Sequence, residues 1–153
     1  MINYLVGDAT EPVGGGLKFV VHICNDIGAW GAGFVTAISR KWLKPEIEYK
    51  NLYYDGKVKL GVIQEVEVAP DITVINMIAQ KGIRSSLTSA PIRYDSLEEC
   101  LYKVFLLAKE RAATVHMPRI GCGLAGGNWE TVEEIITRTM KDLEVYVYDL
   151  PKR

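Results

Sequence analysis

Along the whole chain, short apolar runs alternate with stretches in which apolar residues recur every three or four positions. The runs INYLVG (2–7), LKFVVHIC (17–24), LGVIQEVEV (60–68), ITVINMIA (72–79), ATVHMP (113–118) and EVYVYDL (144–150) read as β-strands. Several are apolar at consecutive positions, the pattern of strands covered by helices on both faces. Four helices are predicted between them. The first begins near Gly33, with Phe34, Ile38 and Trp42 on one side. A second starts at Pro45, a favoured first helical position, with Ile47, Leu52 and Tyr53 as its apolar contacts. The third, over residues 94–110, spaces Tyr94, Leu97, Leu101, Val104, Phe105 and Ala108 at helical intervals. Near its start Ser96-Leu97-Glu98-Glu99 has the form of a capping box. The fourth opens at Asn128, a good N-cap, and is expected to bury Trp129, Val132, Ile136, Met140 and Leu143. Because Ala69-Pro70-Asp71 joins two successive strands as a hairpin-like turn, a mixed sheet is expected, not a purely parallel one. The pattern predicts one three-layer α/β/α domain over residues 1–153.

Composition narrows the function classes. With 153 residues, 48% hydrophobic and 24% charged, the chain is long enough for a substantial core and ordinary for a soluble protein. A formal net charge of −1 argues against a protein whose main partner is a nucleic-acid backbone. An anionic ligand would then be held by local geometry. Cys24, Cys100 and Cys122 are odd in number and widely spaced, with no CxxC or HxxxH pair, so neither a zinc site nor a disulfide framework is expected. No cofactor is called for. MINYLVGDAT lacks the basic and long apolar regions of a signal peptide, and no run is long enough to span a membrane. The expected setting is reducing and cytoplasmic.

Two glycine-rich stretches follow strands and precede helices, and these are where chemistry is expected. In HICNDIGAWGAGF, Gly28, Gly31 and Gly33 fall within six residues; in PRIGCGLAGGNWE, Gly121, Gly123, Gly126 and Gly127 do the same work before the fourth helix. Glycine lets a backbone approach a phosphate closely, and a following helix N-terminus adds amides and partial positive charge. Two such loops at strand ends suit a diphosphate grasped from both sides, although neither is a GxGxxG fingerprint nor a P-loop. Asp8, just past the first strand, is either a turn residue or an acceptor for an exocyclic amine. Asn25 and Asp26 either form an Asx turn or meet a ribose hydroxyl and act as a base. His22 and His116 read as hydrogen-bonded core residues. Lys81 stands at another strand end, either solvated or facing an anion or a carbonyl-like carbon. Cys122 reads as a small loop residue, since no histidine pairs with it.

Taken together, GDAT, HICNDIGAWGAGF and MPRIGCGLAGGNWE, in this order, resemble the macrodomain family over nearly the whole chain. The likeness is strongest to the branch of ADP-ribose 1''-phosphate phosphatases and terminal ADP-ribose glycohydrolases. It implies a macrodomain-like α/β/α fold that binds ADP-ribose, free or on a modified protein or nucleic acid. By matching motifs, Asp8 would hold the adenine amine with Ala9 beside it, and Tyr148 or Leu150 would flank the base. Asn25 would face the distal ribose, with Cys24, Asp26 and Trp30 around it. Gly31, Ala32, Gly33 and Phe34 would wrap the diphosphate. Pro118, Arg119, Ile120, Gly121, Cys122, Gly123 and Leu124 would form the opposing wall. The family's hydrolases imply catalytic roles for Asn25, Asp26 and Lys81, with Asp26 or His22 assisting attack by water. The chain departs from them where glycohydrolases have Asp and it has Ala125, and where the larger hydrolase group has Asp and it has Thr36. Those departures leave two readings, a hydrolase and a non-catalytic ADP-ribose reader.

Overall fold

A computed structural model describes residues 1–83 and 90–152. Six strands, β1 (Ile2–Val6), β2 (Lys18–Asn25), β3 (Ile63–Ala69), β4 (Ile72–Gln80), β5 (Thr114–Met117) and β6 (Val145–Asp149), form one sheet in the order β1-β6-β5-β2-β4-β3. All neighbours run parallel except β3 against β4, so the sheet is mixed. The hairpin turn at Pro70 makes the antiparallel pair, as a short connection must. The helices are α1 (Phe34–Lys41), α2 (Lys44–Tyr54), α3 (Tyr94–Arg111) and α4 (Trp129–Thr139).

Alternation along β2 sorts its side chains between two cores. Phe19 and Val21 join Ile75 and Met77 under α3 and α4, beside Leu97, Leu101, Val104, Val132 and Ile136. Val20 and Cys24 join Val74 and Ile78 on the other face, under Ile38 of α1 and Tyr49 of α2. β2 and β4 are buried along nearly their full length, which explains why their sequences read as continuous apolar runs.

The structure corrects three local expectations. α2 buries Pro45 and Tyr49, whereas Ile47 and Tyr53 are exposed. α3 starts at Tyr94 with the extended residue Arg93 as its N-cap and no side-chain cap bond, so Ser96 lies inside the helix and the capping box is not formed. Trp129 is only partly buried and packs edge-on against Tyr4 of β1. By contrast, Asn128 caps α4 as expected, its Oδ1 accepting from the Thr131 amide.

Topology then places the functional loops. After β2 the chain turns toward β4 and β3, and after β5 it turns toward β6, although β2 and β5 are neighbours. Their carboxyl ends mark the point where the winding direction reverses, and both glycine-rich loops leave the sheet there.

Candidate functional site

A cleft lies between these loops. Its inner part is a cavity of about 270 Å³ lined by Ile23, Cys24, Asn25, Ala29, Trp30, Gly31, Ala32, Val35, Gln80, Ile83 and Leu124. It continues into a groove of about 190 Å³ between Ala32, Gly33 and Phe34 on one side and Pro118, Arg119, Ile120, Gly121, Gly123 and Leu124 on the other.

Asn25 holds the near loop in shape. Its Oδ1 accepts from the amides of Ile27 (3.1 Å) and Ala29 (3.2 Å), while its Nδ2 donates to the Ala29 carbonyl at 2.5 Å. The buried hydroxyl of Tyr49 donates into the same corner, 2.8 Å from Asn25 Oδ1 and 2.6 Å from the Asn25 carbonyl oxygen. The Asx turn is therefore formed, and a second proton on Nδ2 is left to face the cavity. Trp30 is pinned by its indole N–H on Ser39 at 2.7 Å, and Ser39 in turn donates to Glu46. Gly33 enters α1 at φ 88°. No backbone acceptor among the described residues takes the amides of residues 31–35, which lie at or just before the helix N-terminus and line the cleft.

The far wall is tied differently. Gly127 donates to the Gly121 carbonyl at 2.6 Å, Gly126 to that of Gly123 at 3.0 Å, and Ile92 to that of Ala125 at 3.2 Å. These bonds use the loop's carbonyls, and no backbone acceptor among the described residues takes the amides of residues 121–125. Two loops whose amides lack backbone acceptors among the described residues thus line one groove at the ends of adjacent strands, an arrangement suited to an anionic group.

The ionisable residues sit around this frame. Asp26 lies outside both cavity linings, its Oδ1 accepting from the Gly82 amide at 2.8 Å and so joining the near loop to the segment after β4. Lys81 is exposed at the same rim, with its backbone amide on the Pro91 carbonyl. Burial pushes the Cys24 thiol well above its ordinary range, so it is a poor nucleophile. Cys122 is half-buried, donates to the Ile120 carbonyl at 3.4 Å, and is also raised by desolvation.

His22 lies beneath the groove, edge-on to Trp30. Asn76 gives its Nδ2 to the Pro45 carbonyl and Gln64, which turns its Oδ1 to His22 Nε2 at 2.5 Å. His22 is therefore the neutral Nε2–H tautomer, and burial lowers its pKa to about 4. That makes it a weak base for water attack at neutral pH.

Just past the carboxyl end of β1, Asp8 Oδ1 accepts from the Thr10 amide (2.8 Å) and hydroxyl (2.7 Å), closing a turn that buries Ala9. Tyr148 is buried beside Gly7. Its hydroxyl accepts from the Val13 amide at 3.0 Å and shares a hydrogen bond with His116 Nδ1 at 2.8 Å. Asp8, Ala9 and Tyr148 are brought together under one loop, but outside the two cavities. Ile23, Ala29, Val35, Gln80 and Ile83 line the cleft without having been singled out by the sequence. Of these, Gln80 carried a signal, a polar residue closing a buried strand beside β2.

A sheet covered on both faces, with two amide-lined loops over its reversal point, defines an α/β ligand-binding domain of the doubly wound kind. The chain belongs to the Macro domain family, whose model matches residues 21–136. Among curated relatives, the mouse chromodomain-helicase-DNA-binding protein 1-like is 32% identical over 99% of the chain, which spans 18% of that protein. The ADP-ribose 1''-phosphate phosphatase of Candida albicans is 26% identical over 89% of the chain and 92% of its own length. Among solved structures, a protein of unknown function from Bacteroides thetaiotaomicron superposes with a TM-score of 0.94 at 50% identity, covering 98% of each chain. A macrodomain protein from Streptomyces coelicolor gives 0.86 at 42% identity, covering 97% of this chain and 99% of its own.

Proposed function

We propose that the protein binds ADP-ribose in the cleft between residues 27–34 and 118–127. The observation that carries this reading is one groove lined by both glycine-rich loops, whose amides have no backbone acceptor among the described residues. A diphosphate between them would accept from both walls, with the α1 dipole adding favourable charge. The adenine would lie toward Asp8, Ala9 and Tyr148, and the distal ribose toward Asn25 and Trp30 in the 270 Å³ cavity. There the outward proton of Asn25 Nδ2 would reach a ribose hydroxyl.

The chemistry proposed at that ribose is hydrolysis. Water would attack the phosphorus of ADP-ribose 1''-phosphate, breaking the P–O bond to leave phosphate and ADP-ribose, or ADP-ribose would be removed from a modified acceptor. The full-length likeness to the Candida phosphatase supports this, with Asn25 orienting the ribose and Asp26 and Lys81 at the rim. A second reading, recognition without turnover, is favoured by the cavity itself. Among its described lining residues Cys24 is the one ionisable group, and its thiol is held protonated. Calorimetry with ADP-ribose, followed by assays of phosphate release from ADP-ribose 1''-phosphate and of ADP-ribose release from modified protein and DNA, separates the outcomes. Binding without any product leaves the reader; no binding removes both.

A further inference from the structure

Among the described residues, Arg119 is the one lysine or arginine in the cleft lining. A cleft for a diphosphate with a single arginine invites the reading that this arginine grips the phosphates. Its geometry says otherwise. Arg119 Nε donates to Asp149 Oδ1 at 2.7 Å and Nη2 to Asp149 Oδ2 at 2.9 Å, a two-point match at the end of β6. The guanidinium carbon also stands 5.1 Å from the Tyr4 ring centre and 5.2 Å from that of Trp129. Those two rings come from β1 and α4 and are held to each other, Trp129 Nε1 donating to the Tyr4 hydroxyl at 3.1 Å, while Tyr4 donates to Glu133 of α4.

We infer that Arg119 is a positioning residue, a clamp that fixes the 118–127 loop to β1, β6 and α4 so that the loop's amides, not its guanidinium, meet the diphosphate. The clamp ties the loop to β1 and β6, which it does not reach through backbone hydrogen bonds among the described residues, and to the Trp129 side chain of α4, the helix it runs into. Without it the far wall would keep its internal turn bonds but lose its anchor to the sheet edge. The planar fork is essential to the arrangement, because it bonds a carboxylate edge-on while presenting its faces to aromatic rings, which a lysine ammonium cannot do. The inference rests on the ADP-ribose reading for its ligand, while the clamp itself can be observed without one.

The test combines calorimetry with hydrogen exchange on Arg119→Gln, Asp149→Asn, the double variant and Arg119→Lys. Each single change is expected to weaken ADP-ribose binding by roughly three- to tenfold, the range of exposed to partly sheltered charged hydrogen bonds. The double variant should be no weaker than the worse single one, and Arg119→Lys should not rescue. The bonded amides of Ile92, Gly126 and Gly127, whose acceptors all lie in the loop, should exchange faster in the free variants, with β4 amides unchanged as a control on folding. If Asp149→Asn binds as well as or better than the native protein while Arg119→Gln loses affinity, the freed guanidinium contacts phosphate itself and the clamp is overturned. Full affinity in Arg119→Lys would overturn it equally. Should the native protein fail to bind ADP-ribose, the functional reading falls, and unchanged exchange at Ile92, Gly126 and Gly127 in Arg119→Gln would separately sink the clamp.

Discussion

Gly33 is the residue on which the near wall depends. At φ 88° and ψ −139° it holds a backbone close to the glycine-only region, which a side chain enters at a cost of about 1–3 kcal/mol, and a Cβ there would point toward Leu124, 3.8 Å away. Gly33→Glu is expected to abolish ADP-ribose binding, by placing a carboxylate in the groove, while losing only that modest stability. Unchanged affinity in calorimetry would show the groove to be misassigned. Two other residues set a pH limit. Burial lowers the pKa of both His22 and His116 to about 4 from an ordinary 6.5. Unfolding therefore takes up protons between pH 6.5 and 4, and stability present above that range is lost on acidification through it. Each histidine contributes at most about 3 kcal/mol at pH 7. Urea midpoints should fall steadily from pH 7 to pH 4.5, and a flat profile would mean that the histidines are not buried neutral. Of these features the sequence showed the glycine turn and the core placement of both histidines. The Asx turn at Asn25 was one of two readings the sequence left open, but the Tyr49 hydroxyl that completes that corner could not be read, because it comes from 24 residues away.

Element by element, the strands were the most readable, since runs such as ITVINMIA bury nearly every position and have no competing period. β3 is shorter than its apolar run because residues 60–62 turn at Gly61, whose amide bonds the Ile78 carbonyl outside the regular ladder. α2 was the least readable. Its buried residue is the amphipathic Tyr49, and its apolar Ile47 faces out, so hydrophobicity alone aims the wrong side inward. The start of α3 was placed correctly at residue 94, but its cap was not, because Ser96 can cap only a helix that begins after it. α4 followed its sequence at the cap. Asn128→Ala removes the bond to the Thr131 amide and is expected to cost about 1 kcal/mol, read as a lower urea midpoint with an unchanged slope. A loss near zero would mean water replaces the cap.

At the scale of the whole molecule, the sheet is a partition. The side chains of β2 feed one hydrophobic core under α1 and α2 and another under α3 and α4, with little but backbone between them. The cleft crosses this partition, because its near wall leads into α1 and its far wall into α4. A ligand seated there would act as a rivet through both compartments, joining at the top two cores that the fold otherwise joins through the strands. Its effect should then reach past its own contacts. With ADP-ribose at a hundred times its dissociation constant, global unfolding should become harder by about 2.7 kcal/mol, and amide exchange should slow together in α1 and α4, on opposite faces of the sheet. Slowing confined to one face would mean that the ligand touches a single wall. A protein so divided would melt as one body when loaded and show its seam when empty.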